Sequence, residues 1–391
     1  MNADSSLQAT LEEHFRWFHM HPELSMEESG TSLKIREILS GVGVETLELG
    51  LETGVLARVR GTEQGGEEVT VALRADIDAL PIKEESGLPY ASLNDGKMHA
   101  CGHDFHMTSL LGAAMLLQKK QGSLPGTVKL VFQPAEEGVC GAQKVIDTGL
   151  LDDVREIYGL HVAADLNPGE VEVCAGADHA AVDRFAVHVT GRGGHAAEPH
   201  HAADPVVALA QFINAAQGIV SRNVDPFDRA VLSITQIHSG TTWNVIPNGA
   251  FAEGTIRTLC QNTRERMLKR LREIGKGVSL SSGADVQIDI ENLSPATDND
   301  PELAAIVADT ARELGMPVVP VVPNMGGEDF SMYQQRMPGV FFSVGVGSPR
   351  PLHNSAFIAN PAPLAAASSL MAALAEKALR RIPRSKPKPP V

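Results

Sequence analysis

Leu7, Leu11, Phe15 and Phe18 recur at the three- and four-residue spacing that lines one face of a helix, with Ser5 or Ser6 as the expected N-cap. A second helix is expected from about Thr31 to the glycine turn that begins at Gly41. Residues 54–60 and 69–75 are β-branched and read as strands, residues 104–120 are rich in Leu, Met and Ala and read as a helix, and 127–133 and 155–162 read as strands again. Strands alternating with helices predict an α/β domain with a largely parallel sheet. Near residue 180 the pattern changes. DRFAVHVTG alternates like a half-exposed strand, 203–217 is an amphipathic helix, 230–237 and 250–259 are strands, 264–277 is a helix and 284–290 a strand. That β-α-β-β-α-β order belongs to a ferredoxin-like sandwich. After Pro295 the α/β character returns, with Asp300-Pro301-Glu302 opening a helix and 340–347 forming a buried strand. The pattern therefore predicts a discontinuous domain, residues 1–180 and 295–391, interrupted by an inserted domain of residues 181–294.

Composition narrows the function classes. A chain of 391 residues exceeds one ordinary core, which agrees with two domains. Lys+Arg 33 against Asp+Glu 48 leaves −15, so a phosphate backbone would be repelled and no nucleic-acid partner is expected. No apolar run is long enough to predict a membrane span, and Met1–Thr10 has neither the basic nor the apolar part of a secretory signal. Cysteines at 101, 140, 174 and 260 are too few and too scattered for a disulfide scaffold, which points to a reducing, cytoplasmic setting. The basic, proline-rich tail from Arg380 is expected to lack structure.

The candidate chemistry sits at strand ends, where α/β folds gather their ligands. Asp76 and Asp78 follow the strand at 69–75, and HACGHDFH lies just before a helix. Glu136 and Glu137 follow the strand at 127–133, His161 closes another strand, and His353 follows the last strong one. Each position also has a bland reading. Cys101 and His103 could be a buried thiol beside a loop histidine, His161 a core histidine, and Glu136-Glu137 a solvated pair. Against this, two adjacent carboxylates between a buried strand and a glycine-rich loop need a compensating cation. Thiolate, imidazole and carboxylate together suit zinc, manganese or a similar divalent ion. His14, His19, His21, His179, His188 and His238 lack such company and read as structural or exposed.

GKMHACGHD, QPAEEG, GLHV, GRGGHAAEPH, NVIP, GTIR, GGEDFS and PLHN occur in an order that resembles a family of metallo-aminoacylases. The family includes hippurate hydrolase, bacterial N-acyl-amino-acid amidohydrolases and plant hydrolases of indole-acetyl amino acids. The resemblance runs from about Glu12 to Ala375. It implies a dinuclear metallopeptidase-type catalytic domain with an inserted ferredoxin-like α+β lid and dimerisation domain. It further implies two divalent ions per subunit, Zn2+ or Mn2+ with Co2+ or Ni2+ as further candidates, held by Cys101, His103, Glu137, His161 and His353, with Cys101 as the bridge. Glu136 would be the general base and Asp78 would orient a metal ligand. His195 and Asn244 would meet the oxyanion and Arg257 the substrate carboxylate. The implied activity is hydrolysis of N-acyl amino acids by a homodimer or a dimer-based homo-oligomer. The chain departs from the pattern at Val139-Cys140, where glycines are usual, at Phe105 and Met107 after CGHD, at GGED in place of GSED, and at Asn354 after His353. These departures leave the proposed ligands intact and bear on the shape of the acyl pocket. His106 is expected to support the site rather than bind metal. Three alternatives stay open on the residues alone: a dipeptidase or carboxypeptidase on the same scaffold, an enzyme with Cys101 as nucleophile, and a non-catalytic metal- or ligand-binding protein.

Overall fold

The computed structural model describes residues 2–63, 69–138 and 140–383. Residues 384–391, the end of the tail expected to lack structure, lie outside the described residues, as does Val139. The chain divides into two compact units. The first comprises Met1–Gly176, Asp298–Val322 and Met332–Val391; the second comprises Ala177–Thr297 and Pro323–Ser331.

The first unit is built on an eight-stranded sheet. At its centre four strands run parallel, in the order Gly126–Gln133, Val69–Asp76, Val154–Ala163 and Gly339–Gly345. Every residue of Val69–Asp76, Gly126–Gln133 and Gly339–Gly345 is buried, as parallel strands covered on both faces require. Val55–Arg60 adds an antiparallel strand beside Gly126–Gln133. Helices Asn2–Met20, His103–Lys119 and Leu364–Arg381 pack against one another over this sheet. The His103–Lys119 helix is apolar nearly all round and is buried on nearly every side.

Leu7, Leu11, Phe15 and Phe18 form the buried stripe of Asn2–Met20 as their spacing predicts. The helix starts earlier than the expected cap, so Ser5 and Ser6 lie within it, and Ser6 lends its carbonyl to the Thr10 hydroxyl at 3.0 Å. Asp300 caps the Pro301–Glu313 helix, accepting from the amides of Glu302 and Leu303 at 2.9 and 3.0 Å.

The second unit carries a four-stranded antiparallel sheet in the order Ala230–Ser239, Gly249–Thr258, Ala181–Thr190, Asp285–Ser294. Helices Pro205–Asn223 and Gln261–Ser282 pack on each other and on the sheet around Phe185, Phe212 and Leu271. Buried Asp183 accepts both arms of Arg264 at 2.8 Å and the Asn292 amide at 2.8 Å, so its charge is matched on all sides. The segment Pro323–Ser331, which sequence placed in the first domain, clusters here. Its backbone is tied to the strand entering the unit, Ala180 N–H donating to Gly326 O at 2.9 Å and Asn324 N–H to Asp178 O at 3.0 Å. Among the described residues no helix is long and apolar enough to cross a membrane.

One buried cation fastens the first unit beneath the strand ends. His19 Nδ1 lies 2.6 Å from Asp104 Oδ2, and Nε2 lies 3.1 Å from Glu84 Oε1. Burial alone would depress the imidazole, but the bonds to Asp104 and Glu84 prevail and raise it to about 9. A folded-state value above the unfolded 6.5 stabilises fully below that unfolded value, and the contribution is lost as pH rises through about 9. We therefore expect His19→Gln to lose on the order of 3 kcal/mol at pH 6, with the deficit shrinking between pH 7 and 10. Urea titrations of both proteins across that range read this directly; a pH-independent gap would contradict the buried cation.

Candidate metal centre

The four parallel strands end on one edge of the sheet, and the loops beyond them supply the polar residues. Asp76 is the last residue of its strand, and Asp78 lies two residues further on. Glu136 and Glu137 follow Gly126–Gln133, and His161 lies near the end of Val154–Ala163. Cys101 precedes the His103–Lys119 helix. Between Cys101 and His103, Gly102 adopts φ 82, and a Cβ there would come within 2.4 Å of Val162 Cγ2. Only glycine satisfies both the turn and the approach. His353 is drawn in by its own amide, which donates to Ala100 O at 2.8 Å. The loops are held in costly shapes: Ala135, Cys140 and His353 are non-glycine residues at φ 55, 54 and 62.

Buried Asp78 organises the site. Its carboxylate accepts from the Ser25 hydroxyl at 2.6 Å, the Glu136 amide at 3.1 Å and the Glu137 amide at 3.0 Å. Its backbone carbonyl lies 2.8 Å from His103 Nδ1. A carbonyl can only accept, so Nδ1 carries a hydrogen and Nε2 is the ring nitrogen left to face the cluster. Burial works against the Asp78 charge, but the bonds from His103 and its neighbours hold the carboxyl below its usual range.

Five side chains converge. Cys101 Sγ lies 3.6 Å from His161 Nε2 and 3.3 Å from His353 Nε2. Glu137 Oε1 lies 3.3 Å from His353 Nε2 and 3.9 Å from His103 Nε2. Ligand atoms of Cys101, His103 and His161 fall within 4.8 Å of one another, and so do those of Cys101, Glu137 and His353. The thiol belongs to both sets. Glu136 shares a third set with His103 and Glu137.

These residues fit divalent cations. His103 Nε2 and Glu137 Oε1 are buried and have no hydrogen-bond partner, a costly state unless something else binds them. Burial pushes the Cys101 thiol well up, so a thiolate there calls for a strong positive charge. Burial holds His161 well below its usual range, keeping it neutral as a ligand must be. A further group with ligand-like spacing, Asp76, His103 and His106, does not qualify as a metal set. Asp76 accepts from Arg74 at 2.6 Å and from His106 at 2.6 Å, and His106 spends its other nitrogen on a backbone amide.

Several supporting residues carried no sequence signal. Arg74 is fully buried and donates to Gln133 as well as Asp76, while Tyr333 donates its hydroxyl to Gln133 at 3.1 Å. Glu28 accepts from the Ala135 amide at 2.8 Å, fixing the loop that carries the two glutamates. In the second unit, His195 and Asn244 come together on a two-stranded ribbon, where His195 pairs with Val245 and the Ala196 amide donates to Asn244 O at 3.2 Å. Both are exposed, and Trp243 beside them is 92% exposed. Arg257 stands on the neighbouring sheet, half-buried, with Nε 3.2 Å from Thr255 Oγ1.

Known proteins share this construction. The profile of Peptidase family M20/M25/M40 matches residues 72–377. An N-acetylcysteine deacetylase of Bacillus subtilis is 41% identical over 381 residues, covering 97% of this chain and 100% of its own. Thermostable carboxypeptidase 1 of Saccharolobus solfataricus is 39% identical over 351 residues, covering 88% of each chain. A solved Bacillus subtilis structure, described as a dinuclear metal-binding peptidase of the M20 family, superposes with a TM-score of 0.88 at 38% identity, covering 97% of this chain and 100% of that one.

Because the unpaired ligand atoms exist only in the folded chain, divalent ions should stabilise it. Zinc or manganese at about a hundred times its dissociation constant is expected to add about 2.7 kcal/mol. A chelator should remove that gain, and Glu137→Ala should show little of it. Calorimetric melting with and without metal reads the effect, and identical melting of metal-loaded and stripped wild-type protein would contradict the site.

Proposed function

The chain belongs to Peptidase family M20/M25/M40, and from that premise we propose that it is a metal-dependent amidohydrolase of N-acyl amino acids. It releases a carboxylic acid and a free amino acid, in a cytoplasmic setting. The observation that carries this reading is the orphaned pair His103 Nε2 and Glu137 Oε1, 3.9 Å apart, beside a second glutamate on the same turn.

Cys101, His103, Glu137, His161 and His353 would hold two divalent ions, zinc or manganese, with cobalt and nickel also suited to the donors. Such ions supply Lewis acidity to the amide carbonyl and lower the pKa of water from 15.7 to about 7. Glu136 is the general base. Its carboxylate takes the proton from the attacking water as the oxygen adds to the carbonyl carbon, then delivers it to the nitrogen as the C–N bond breaks. Asp78 keeps that carboxylate in register by holding the Glu136 and Glu137 amides. His195 and Asn244 donate to the oxyanion, and Arg257 offers a planar fork to the substrate carboxylate. We assign the protein a homodimer in which the His195–Asn244 ribbon serves the other subunit. The ten-residue edge strand Ala230–Ser239, with Ile237 57% exposed, offers a surface for such pairing.

The carboxypeptidase among the relatives supports a second reading. Both reactions cleave an amide beside an amino-acid carboxylate, and they differ in what lies on the acyl side. Metal-loaded enzyme should therefore be assayed on N-acetyl, N-benzoyl, long-chain acyl and indole-acetyl amino acids beside dipeptides, together with Glu136→Gln. The expected result is faster turnover of acyl amino acids, cut about 10²–10⁴-fold in the variant with its metal content unchanged. Faster turnover of dipeptides would favour the carboxypeptidase reading, and native turnover by the variant would remove Glu136 from its role.

A further inference from the structure

His106 sits among the ligand-type histidines, its ring centroid 4.5 Å from that of His161 and 5.3 Å from that of His103. It has no lone pair to give them. The Val162 amide donates to His106 Nε2 at 2.9 Å, and His106 Nδ1 lies 2.6 Å from Asp76 Oδ1. An amide N–H only donates, so Nε2 is bare; a carboxylate only accepts, so Nδ1 carries the hydrogen. The ring is thus fixed in a single neutral tautomer. Arg74, fully buried and 2.6 Å from the other Asp76 oxygen, balances the carboxylate from behind.

The same residue that donates to His106 also holds His161. Val162 O lies 2.8 Å from His161 Nδ1, which must therefore be protonated, and this turns the bare Nε2 towards Cys101. Val162 has little room to move, because its Cγ2 lies against Gly102, 2.4 Å from where a Cβ would stand. One residue thus spends its N–H on His106 and its C=O on His161.

We propose that His106 is a positioning residue: anchored by Asp76 and Arg74, it fixes Val162, and Val162 sets the tautomer and aim of His161. The proposal rests on the reading of His161 as a metal ligand. Its consequence is that His106 controls metal affinity and coordination geometry and takes no part in proton transfer to the substrate.

Cobalt(II) is the probe, read by metal-competition titration and by visible absorption of the bound ion. His106→Leu keeps bulk but offers neither donor nor acceptor. His106→Gln offers one of each at about the spacing of the ring nitrogens. In His106→Leu one of the two ions should bind about 10–100-fold more weakly, with an altered spectrum, and His106→Gln should restore most of both. Wild-type affinity and spectrum in His106→Leu, or equal damage in His106→Gln, would overturn the proposal. Wild-type protein that binds no cobalt would overturn it together with the ligand role of His161. Cobalt bound as expected, but without hydrolysis of acyl amino acids, would sink only the reaction assigned above. A measurement independent of how the variants fold is the 15N spectrum of the wild-type histidine rings. It should show His106 as the neutral Nδ1–H tautomer, and an Nε2–H form or an imidazolium would contradict the account.

Discussion

Everything at the strand ends depends on how one buried carboxylate is shared. Asp78 takes a hydroxyl from Ser25 and the amides of Glu136 and Glu137, while its own carbonyl fixes His103. These partners come from three separate stretches of chain, so one residue sets the spacing between Glu136, Glu137 and His103. A buried carboxylate accepting several donors is stable without any metal. The frame needs no metal to form, so divalent ions would meet side chains already aimed.

Several buried charges around this frame are matched by a neighbour of opposite sign. Asp76 has Arg74 and His106, Asp104 and Glu84 have His19, and Asp183 in the other unit has Arg264. Glu137 Oε1 and His103 Nε2 are among the buried atoms without a hydrogen-bond partner, and they lie 3.9 Å apart beside His353. Burying polar groups in that state costs about 1–3 kcal/mol each, and divalent ions would convert the cost into binding.

Sequence periodicity located the longer strands, the long buried helix and the ferredoxin-like order, because each is a local pattern of apolar residues. The residues that cluster here were singled out from their place at strand ends, where α/β sheets gather ligands. Support for them was not. Ser25 reaches Asp78 across 53 residues, Arg74 reaches Gln133 across 59, and Val162 reaches His106 across 56. Nothing in a linear pattern announces such pairs. His19 read as structural, and only its two carboxylate partners reveal why it is charged. Pro323–Ser331 groups with the second unit, its backbone bonded to Asp178 and Ala180, and no change of composition marks that.

Cys101 belongs to both candidate ligand sets, so in the proposed enzyme one thiolate would serve both ions. X-ray absorption at the zinc edge of fully loaded protein tests this most directly. The expected spectrum has one sulfur neighbour at about 2.3 Å from each zinc beside nitrogen and oxygen at about 2.0–2.2 Å, with the sulfur shell lost in Cys101→Ser. A zinc-loaded wild-type spectrum without sulfur, or one unchanged in Cys101→Ser, would contradict it.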